Sequence, residues 1–276
     1  MKIDGTQMTQ MPTATQIYAD FKKLITRIMI TKNQIKYINS LQQKKFRLEH
    51  QSFVVEGAKS VIELLKSDFE IELLFVTKLF FEENQFLLQN LSIQPEIVKS
   101  SELEKAGSFS SNNAAIAVVK TKENIELLVE NKEFALILDD IRDPGNLGTI
   151  IRIADWYGIT KIICSNSTVD VYNPKVINST MGSFTRISLY YTDLEGFIKN
   201  QSLNIYGTLL DGENIHKTNF TDSGYIVIGN EANGISEEIT RLITHKITIP
   251  RFGGAESLNA GIATAVVLDN VFRQNI

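Results

Sequence analysis

The chain has 276 residues, 43% of them hydrophobic, and a formal net charge of −4. That is chain enough for two domains and apolar content enough for a packed core, which excludes a disordered polymer. A weakly acidic average leaves local basic patches open, so it excludes no nucleic-acid partner.

Residues 1–28, rich in Thr, Gln and Met, read as an N-terminal extension before a second possible start at Met29. They lack the apolar stretch of a secretory signal. Residues 21–50 carry Lys22, Lys23, Arg27, Lys32, Lys36, Lys44, Lys45 and Arg47 against the single acid Glu49. Such a run is either a solvated helix face or a phosphate-binding surface, and both readings stand. Ile35, Ile38, Leu41 and Phe46 fall roughly a turn apart and predict one helix over 33–48. A strand at 53–55 follows, then Gly57 and a helix through Val61, Ile62, Leu64 and Leu65. A strand at 72–76, a helix at 82–89 and a strand at 115–119 complete a small α/β domain over residues 29–120. The charged residues 121–133 predict a linker with a helix.

Residues 134–276 alternate more regularly. Strands are predicted at 134–138, 161–165, 187–190, 204–209, 225–229 and 246–249. Helices are predicted at 147–157, 174–181, 194–200 and 237–243, with a final one over 257–273. Apolar strands alternating with helices predict a parallel sheet covered on both faces, with ligands beyond the carboxyl ends of its strands. No apolar run reaches the ~18 residues of a membrane span. Cys164, the one cysteine, sits in an apolar strand run and reads as a buried structural thiol. His50, His216 and His245 have no ligand spacing, so no metal site is expected. A cytoplasmic protein follows from these features.

Three loops after predicted strands stand out. They are Asp140-Ile-Arg-Asp-Pro-Gly-Asn-Leu-Gly-Thr149, Gly229-Asn-Glu-Ala-Asn-Gly234 and Pro250-Arg-Phe-Gly-Gly-Ala-Glu-Ser-Leu-Asn259. Each alone could be turn chemistry: Asp143-Pro144-Gly145 makes a good turn, and Ser257 can cap a helix. Three together at the carboxyl edge of one sheet point to a ligand site. The chain has no Walker loop, no dinucleotide-binding glycine fingerprint and no nucleophile elbow.

Asn146-x-Gly148-x-x-x-Arg152, Gly229-x-Glu231-x-x-Gly234, and Ile249-Pro250 with Gly253 and Glu256-Ser257-Leu258-Asn259 resemble, in order and spacing, the three motifs of the SpoU (TrmH-like) family of SPOUT methyltransferases. Ala260 stands where that family often has Val, and Arg251-Phe252 where it often has a Met-containing pair. Phe53-Val-Val-Glu-Gly57 and the following helix resemble the ribosomal-protein-like RNA-binding domain found upstream of that catalytic domain. The resemblance implies a C-terminal parallel sheet tied in a deep trefoil knot. It implies S-adenosylmethionine held mostly by backbone groups at Thr208, Gly229, Ile249 and Leu258, and an RNA 2′-O-ribose methyl transfer without metal.

By the same resemblance Arg152 acts on the ribose hydroxyl or its neighbouring phosphate. A guanidinium keeps its proton, so a role in stabilising developing alkoxide and clamping phosphate is expected over that of a base. Asn146 would position Arg152 or the ribose, Glu231 would pair with or orient Arg152, and Ser257 and Asn259 would hydrogen-bond ribose, phosphate or cofactor. Family sites are completed across a homodimer, so small residues of the last helix (Ala260, Gly261, Ala263, Ala265) are read either as core packing or as a helix–helix dimer contact. The expected partner is ribosomal RNA ahead of transfer RNA. The alternatives are a non-catalytic RNA-binding or ribosome-assembly factor of the same fold, and a SPOUT enzyme that modifies base nitrogens. The first would be expected to lose Arg152, Glu231 or Asn259, which are all present, and Ser257-Leu-Asn259 favours the ribose branch over the second.

Overall fold

The computed structural model describes residues 29–89, 91–108 and 112–273; the N-terminal extension lies outside the described residues. Two sheets organise the chain. The first takes β1 (Ser52–Glu56), β2 (Ile71–Thr77), β3 (Glu96–Val98) and β4 (Ala115–Lys120) in the order β1-β4-β2-β3. β4 is antiparallel to both its neighbours, and β2 and β3 are parallel. Alternate residues of these strands face opposite sides. Phe53, Val55, Leu74 and Val76 join α3 (Ala58–Leu65) in one apolar cluster. Val54, Phe75, Ile116 and Val118 join Ile38 of α1 (Lys32–Ser40) and Leu103 of α6 (Ser100–Ala106) in another. The short α4 (Lys78–Glu83) and α5 (Gln85–Leu88) follow β2.

The helix expected over 33–48 is two helices, α1 and α2 (Lys44–His50), broken at residues 41–43. The break has a visible cause. Arg47, 3% exposed, donates from Nη1 to the carbonyls of Leu41 and Gln42, both at 3.0 Å, satisfying main-chain acceptors left where α1 stops. Its Nε and Nη2 donate to Asp170 Oδ2 at 3.0 and 2.7 Å. Arg47 is therefore a buried tie between the two halves of the chain and leaves the set of candidate phosphate contacts. Asp170 keeps some solvent, so Arg47→Ala is expected to cost about 2 kcal/mol in urea unfolding, below the ~3–5 of a fully buried pair. An unchanged midpoint would show the tie to be dispensable.

The second sheet has six strands, β5 (Phe134–Leu138), β6 (Lys161–Ser165), β7 (Ser188–Thr192), β8 (Ile205–Asn214), β9 (Gly224–Ile228) and β10 (His245–Thr248). Their order is β10-β8-β9-β5-β6-β7 and every pairing is parallel, as the alternating pattern predicts. Leu136, Leu138, Ile162, Cys164, Ile226 and Ile228 pack on one face beneath α7 (Pro144–Trp156), α8 (Pro174–Thr180) and α11 (Ala260–Arg273). Ala135, Ile137, Ile163, Tyr225 and Val227 pack on the other beneath α9 (Leu194–Lys199) and α10 (Glu237–Thr240). Cys164 is fully buried, which pushes its thiol well above the usual range and leaves it a packing residue. No described helix is long and apolar enough to cross a membrane.

Residues 121–130 form no helix. They run alongside β7 instead: Asn124 Nδ2 donates to the carbonyl of Tyr191, and the Tyr191 amide donates back to Asn124 Oδ1, both at 2.8 Å. A side-chain amide thus takes the place of a neighbouring strand at that edge.

Candidate active site

The carboxyl ends of β5, β8, β9 and β10 lie side by side, so the loops that leave them share one edge of the sheet. Asp143 caps α7, its Oδ1 accepting from the Asn146 amide at 2.8 Å, with Pro144 at the first helical position. This fixes Asn146 in the first turn of α7, facing the β9 loop. Asn146 Nδ2 donates to Glu231 Oε1. Asn259 Nδ2 donates to Asn146 Oδ1 at 2.7 Å. One chain of side chains, Asn259 to Asn146 to Glu231, therefore joins all three motif loops.

Asn259 does a second job. Its Oδ1 accepts from the amides of Gly261 and Ile262 at 3.0 and 3.3 Å, so it, and not Ser257, caps α11. The last helix accordingly starts at Ala260, three residues later than the apolar pattern predicts. Ser257 is exposed on the loop. Arg152 lies six residues beyond Asn146, roughly 120° round the helix, on an exposed stripe with Thr149 and Trp156. Among the described residues it makes no hydrogen bond or ion pair, and Glu231 is engaged by Asn146. The structure thus places Glu231 against Asn146, through Oε1, and leaves the Arg152 guanidinium without a partner among the described residues.

The backbone of this edge is tied down by residues outside the expected set. Asn230 Nδ2 donates to the Asp140 carbonyl at 2.8 Å, while its Oδ1 accepts from the amides of Ala232 and Asn233. Asp139, buried, accepts from the Ser236 amide at 2.8 Å. Asp140 adopts φ +60°, which turns the chain sharply off β5. The sequence signal for Asn230 was its place after a strand and before Gly234, where Asn favours a side-chain-closed turn.

Thr208, Gly229, Ile249 and Leu258 fall in the same neighbourhood. Thr208 Oγ1 donates at 3.1 Å to the carbonyl of Val227, which stands just before Ile228 and Gly229 in the chain. The β8–β10 ladder pairs Gly207 with Lys246 and then Glu213 with Ile247, so residues 208–212 bow out of it. Thr248 Oγ1 reaches the Leu210 carbonyl at 3.3 Å, which holds that bow against β10. The exposed aliphatic side chains of Leu210 and Leu258 on these segments suit the apolar parts of an adenosyl ligand. No group of His, Cys, Asp and Glu able to hold a metal ion occurs among the described residues.

Fold and site together define an α/β domain with a nucleotide-type ligand edge, joined to a second, smaller α/β domain. Comparison with known proteins assigns both. Residues 133–269 match the SpoU rRNA Methylase family, and residues 32–117 match the MRM3-like substrate binding domain. The chain is 28% identical to the 23S rRNA (guanosine(2553)-2′-O)-methyltransferase RlmP of Bacillus subtilis, over 88% of this chain and 97% of that protein. Among solved structures, a putative RNA methyltransferase of the TrmH family from Porphyromonas gingivalis superposes with a TM-score of 0.78 and 32% identity, covering 89% of this chain and 99% of that one. The AdoMet-bound rRNA methyltransferase from Sinorhizobium meliloti gives 0.82 and 28%, covering 91% and 98%. The chain belongs to the SpoU (TrmH-like) family of RNA methyltransferases.

Proposed function

We propose that this protein transfers a methyl group from S-adenosylmethionine to a ribose 2′-hydroxyl of ribosomal RNA, with Arg152 acting on the RNA. The observation that carries the residue assignment is the Asn259–Asn146–Glu231 chain, which locks the three loops together and leaves Arg152 unpaired on the helix they anchor. RlmP, similar along nearly its whole length, is named for this reaction on 23S rRNA.

The bound cofactor supplies a methyl group already activated on a sulfonium. What remains for the chain is to hold the ribose in line and to favour loss of the weakly acidic 2′-hydroxyl proton to solvent as the oxygen takes the methyl group and S-adenosylhomocysteine is left. Main-chain groups around Thr208, Gly229, Ile249 and Leu258 hold the adenosyl group. Arg152 stabilises negative charge on the 2′-oxygen or clamps the adjacent phosphate with its bidentate fork. Asn146, Glu231 and Asn259 keep the loops in register, and Ser257, exposed on the third loop, is available to the ribose. The trefoil threading of the family, a homodimer and a cytoplasmic location belong to this reading. Trp156, 84% exposed, and Ile262, 56% exposed, lie on the neighbouring helices α7 and α11 and support a dimer contact next to Arg152.

The smaller domain is assigned RNA affinity. Lys36, Lys44 and Lys45 are exposed on α1 and α2. Neutralising the three together is expected to weaken RNA binding and flatten its salt dependence. The log–log slope should fall by ~0.7–0.9 for each phosphate no longer neutralised, with cofactor affinity unchanged. An unaltered slope would make them a solvated face. The reading as a whole is tested by mapping 2′-O-methyls in total RNA from cells with and without the gene. Loss of a ribosomal RNA methyl supports it, and loss of a transfer RNA methyl instead would reassign the substrate.

A further inference from the structure

Between the two domains sits a charged bridge that the proposed chemistry does not use. Arg186 follows the turn after α8. Its Nε donates to Asp155 Oδ1 and Oδ2 at 2.9 and 3.1 Å, and its Nη2 to Asp155 Oδ2 at 2.7 Å. Its Nη1 donates to Glu63 Oε2. Asp155 belongs to α7, three residues after Arg152, whereas Glu63 belongs to α3 of the smaller domain. The Arg186 guanidinium holds the Asp155 carboxyl below the usual carboxylate range, so the bridge is charged at neutral pH.

The contact is close on both sides. A Cβ built on Gly182 would come within 2.6 Å of Glu63 Cγ and 2.8 Å of its Cβ, so only glycine lets this turn press onto α3. Behind it, Phe184 and Ile177 of the catalytic half lie in the apolar cluster of the smaller domain, and Phe184 meets Phe53 edge to face at 5.9 Å. The bridge is half in solvent, with Arg186 at 46% side-chain exposure, and such pairs contribute little to stability. What a fork held at three oxygens does contribute is orientation.

We infer that Arg186 is a positioning residue: by tying Asp155 to Glu63 it fixes α7, and with it Arg152, relative to RNA held on the smaller domain. The inference rests on the functional reading above. An in-line transfer loses rate steeply when a reacting group is misplaced by about 1 Å. A cut bridge therefore lowers turnover without weakening either ligand.

The test uses the full chain with S-adenosylmethionine and 23S rRNA transcribed in vitro. Glu63→Gln, which leaves the Asp155–Arg186 pair intact, and Arg186→Gln are each expected to lower kcat ~10-fold or more. Affinities for RNA and cofactor should stay within about twofold, and Arg186→Lys should recover part of the loss. If both Gln variants keep kcat within about twofold of wild type, the inference is overturned. Hydrogen exchange gives a readout independent of activity: amides of residues 150–156 should exchange faster in Glu63→Gln with RNA bound than in wild type. If wild type itself transfers no methyl to this RNA, the functional reading is what fails. The exchange result then decides the bridge, and equal rates overturn it.

Discussion

Arg152→Ala is expected to fold, to bind S-adenosylmethionine as tightly as wild type, and to methylate RNA on the order of 10³-fold more slowly. The magnitude is that of removing one preorganised donor from a developing negative charge, about 4 kcal/mol. Separation of the effects follows from the geometry. Arg152 is exposed and unpaired among the described residues, so its loss leaves no orphaned partner and no cavity. The three motif loops are tied by Asn146, Asn230, Glu231 and Asn259, and these ties do not depend on Arg152. Single-turnover kinetics with saturating RNA, together with calorimetric titration of the cofactor, read the two quantities apart. Wild-type turnover would remove Arg152 from the mechanism, and loss of cofactor binding would make it structural. Arg152→Lys should recover only a fraction, because a point charge lacks the fork.

Gly229→Val is expected to weaken cofactor binding. A Cβ at this position would run into the backbone of Gly234 and Ile235, where no rotamer change can relieve it. Asn230 and Gly234 exchange two main-chain hydrogen bonds of 3.0 and 2.8 Å across that narrow turn. Forcing them apart displaces Glu231 from Asn146 and opens the loop beside Thr208. Overpacking of this kind costs up to about 3 kcal/mol, which corresponds to cofactor affinity on the order of 100-fold weaker. RNA binding by the smaller domain should persist. A variant that binds S-adenosylmethionine normally would show that the β9 loop lies outside the cofactor site.

The catalytic sheet was legible because its strands are continuous apolar runs: Phe134–Leu138 and Lys161–Ser165 form at the predicted bounds. Misreadings arose where a single long-range contact overrides a local pattern. Ile35, Ile38, Leu41 and Phe46 keep a helical period through residues 41–43, yet the chain breaks there because Arg47 offers its carbonyls donors while reaching Asp170, 123 positions away. Residues 121–133 have helical composition, but Asn124 finds the open edge of β7. β3 and α6 escaped notice because both are short and partly polar.

At the candidate site, the sequence singles out loops, and the pairings between them come from the fold. Asn146, Glu231 and Asn259 are singled out by their loops, but which of them touch depends on the order β10-β8-β9-β5, a fact about the whole sheet. Glu231 meets the Asn146 amide because Asn146 lies in the first turn of α7, whereas Arg152 lies six residues further on and roughly 120° round the helix.

A methyl group delivered to a ribose oxygen changes how RNA responds to alkali, which reports on that oxygen directly. Strand cleavage by base requires a free 2′-hydroxyl, so a 2′-O-methyl leaves its nucleotide joined to the next one. Purified protein, methyl-labelled S-adenosylmethionine and 23S rRNA are incubated, the RNA is hydrolysed completely in alkali, and the products are separated by length. The label is expected in alkali-resistant dinucleotides with wild type and is expected to be nearly absent with Arg152→Ala. Label in mononucleotides, which places the methyl on a base, or no label at all with folded protein, contradicts it.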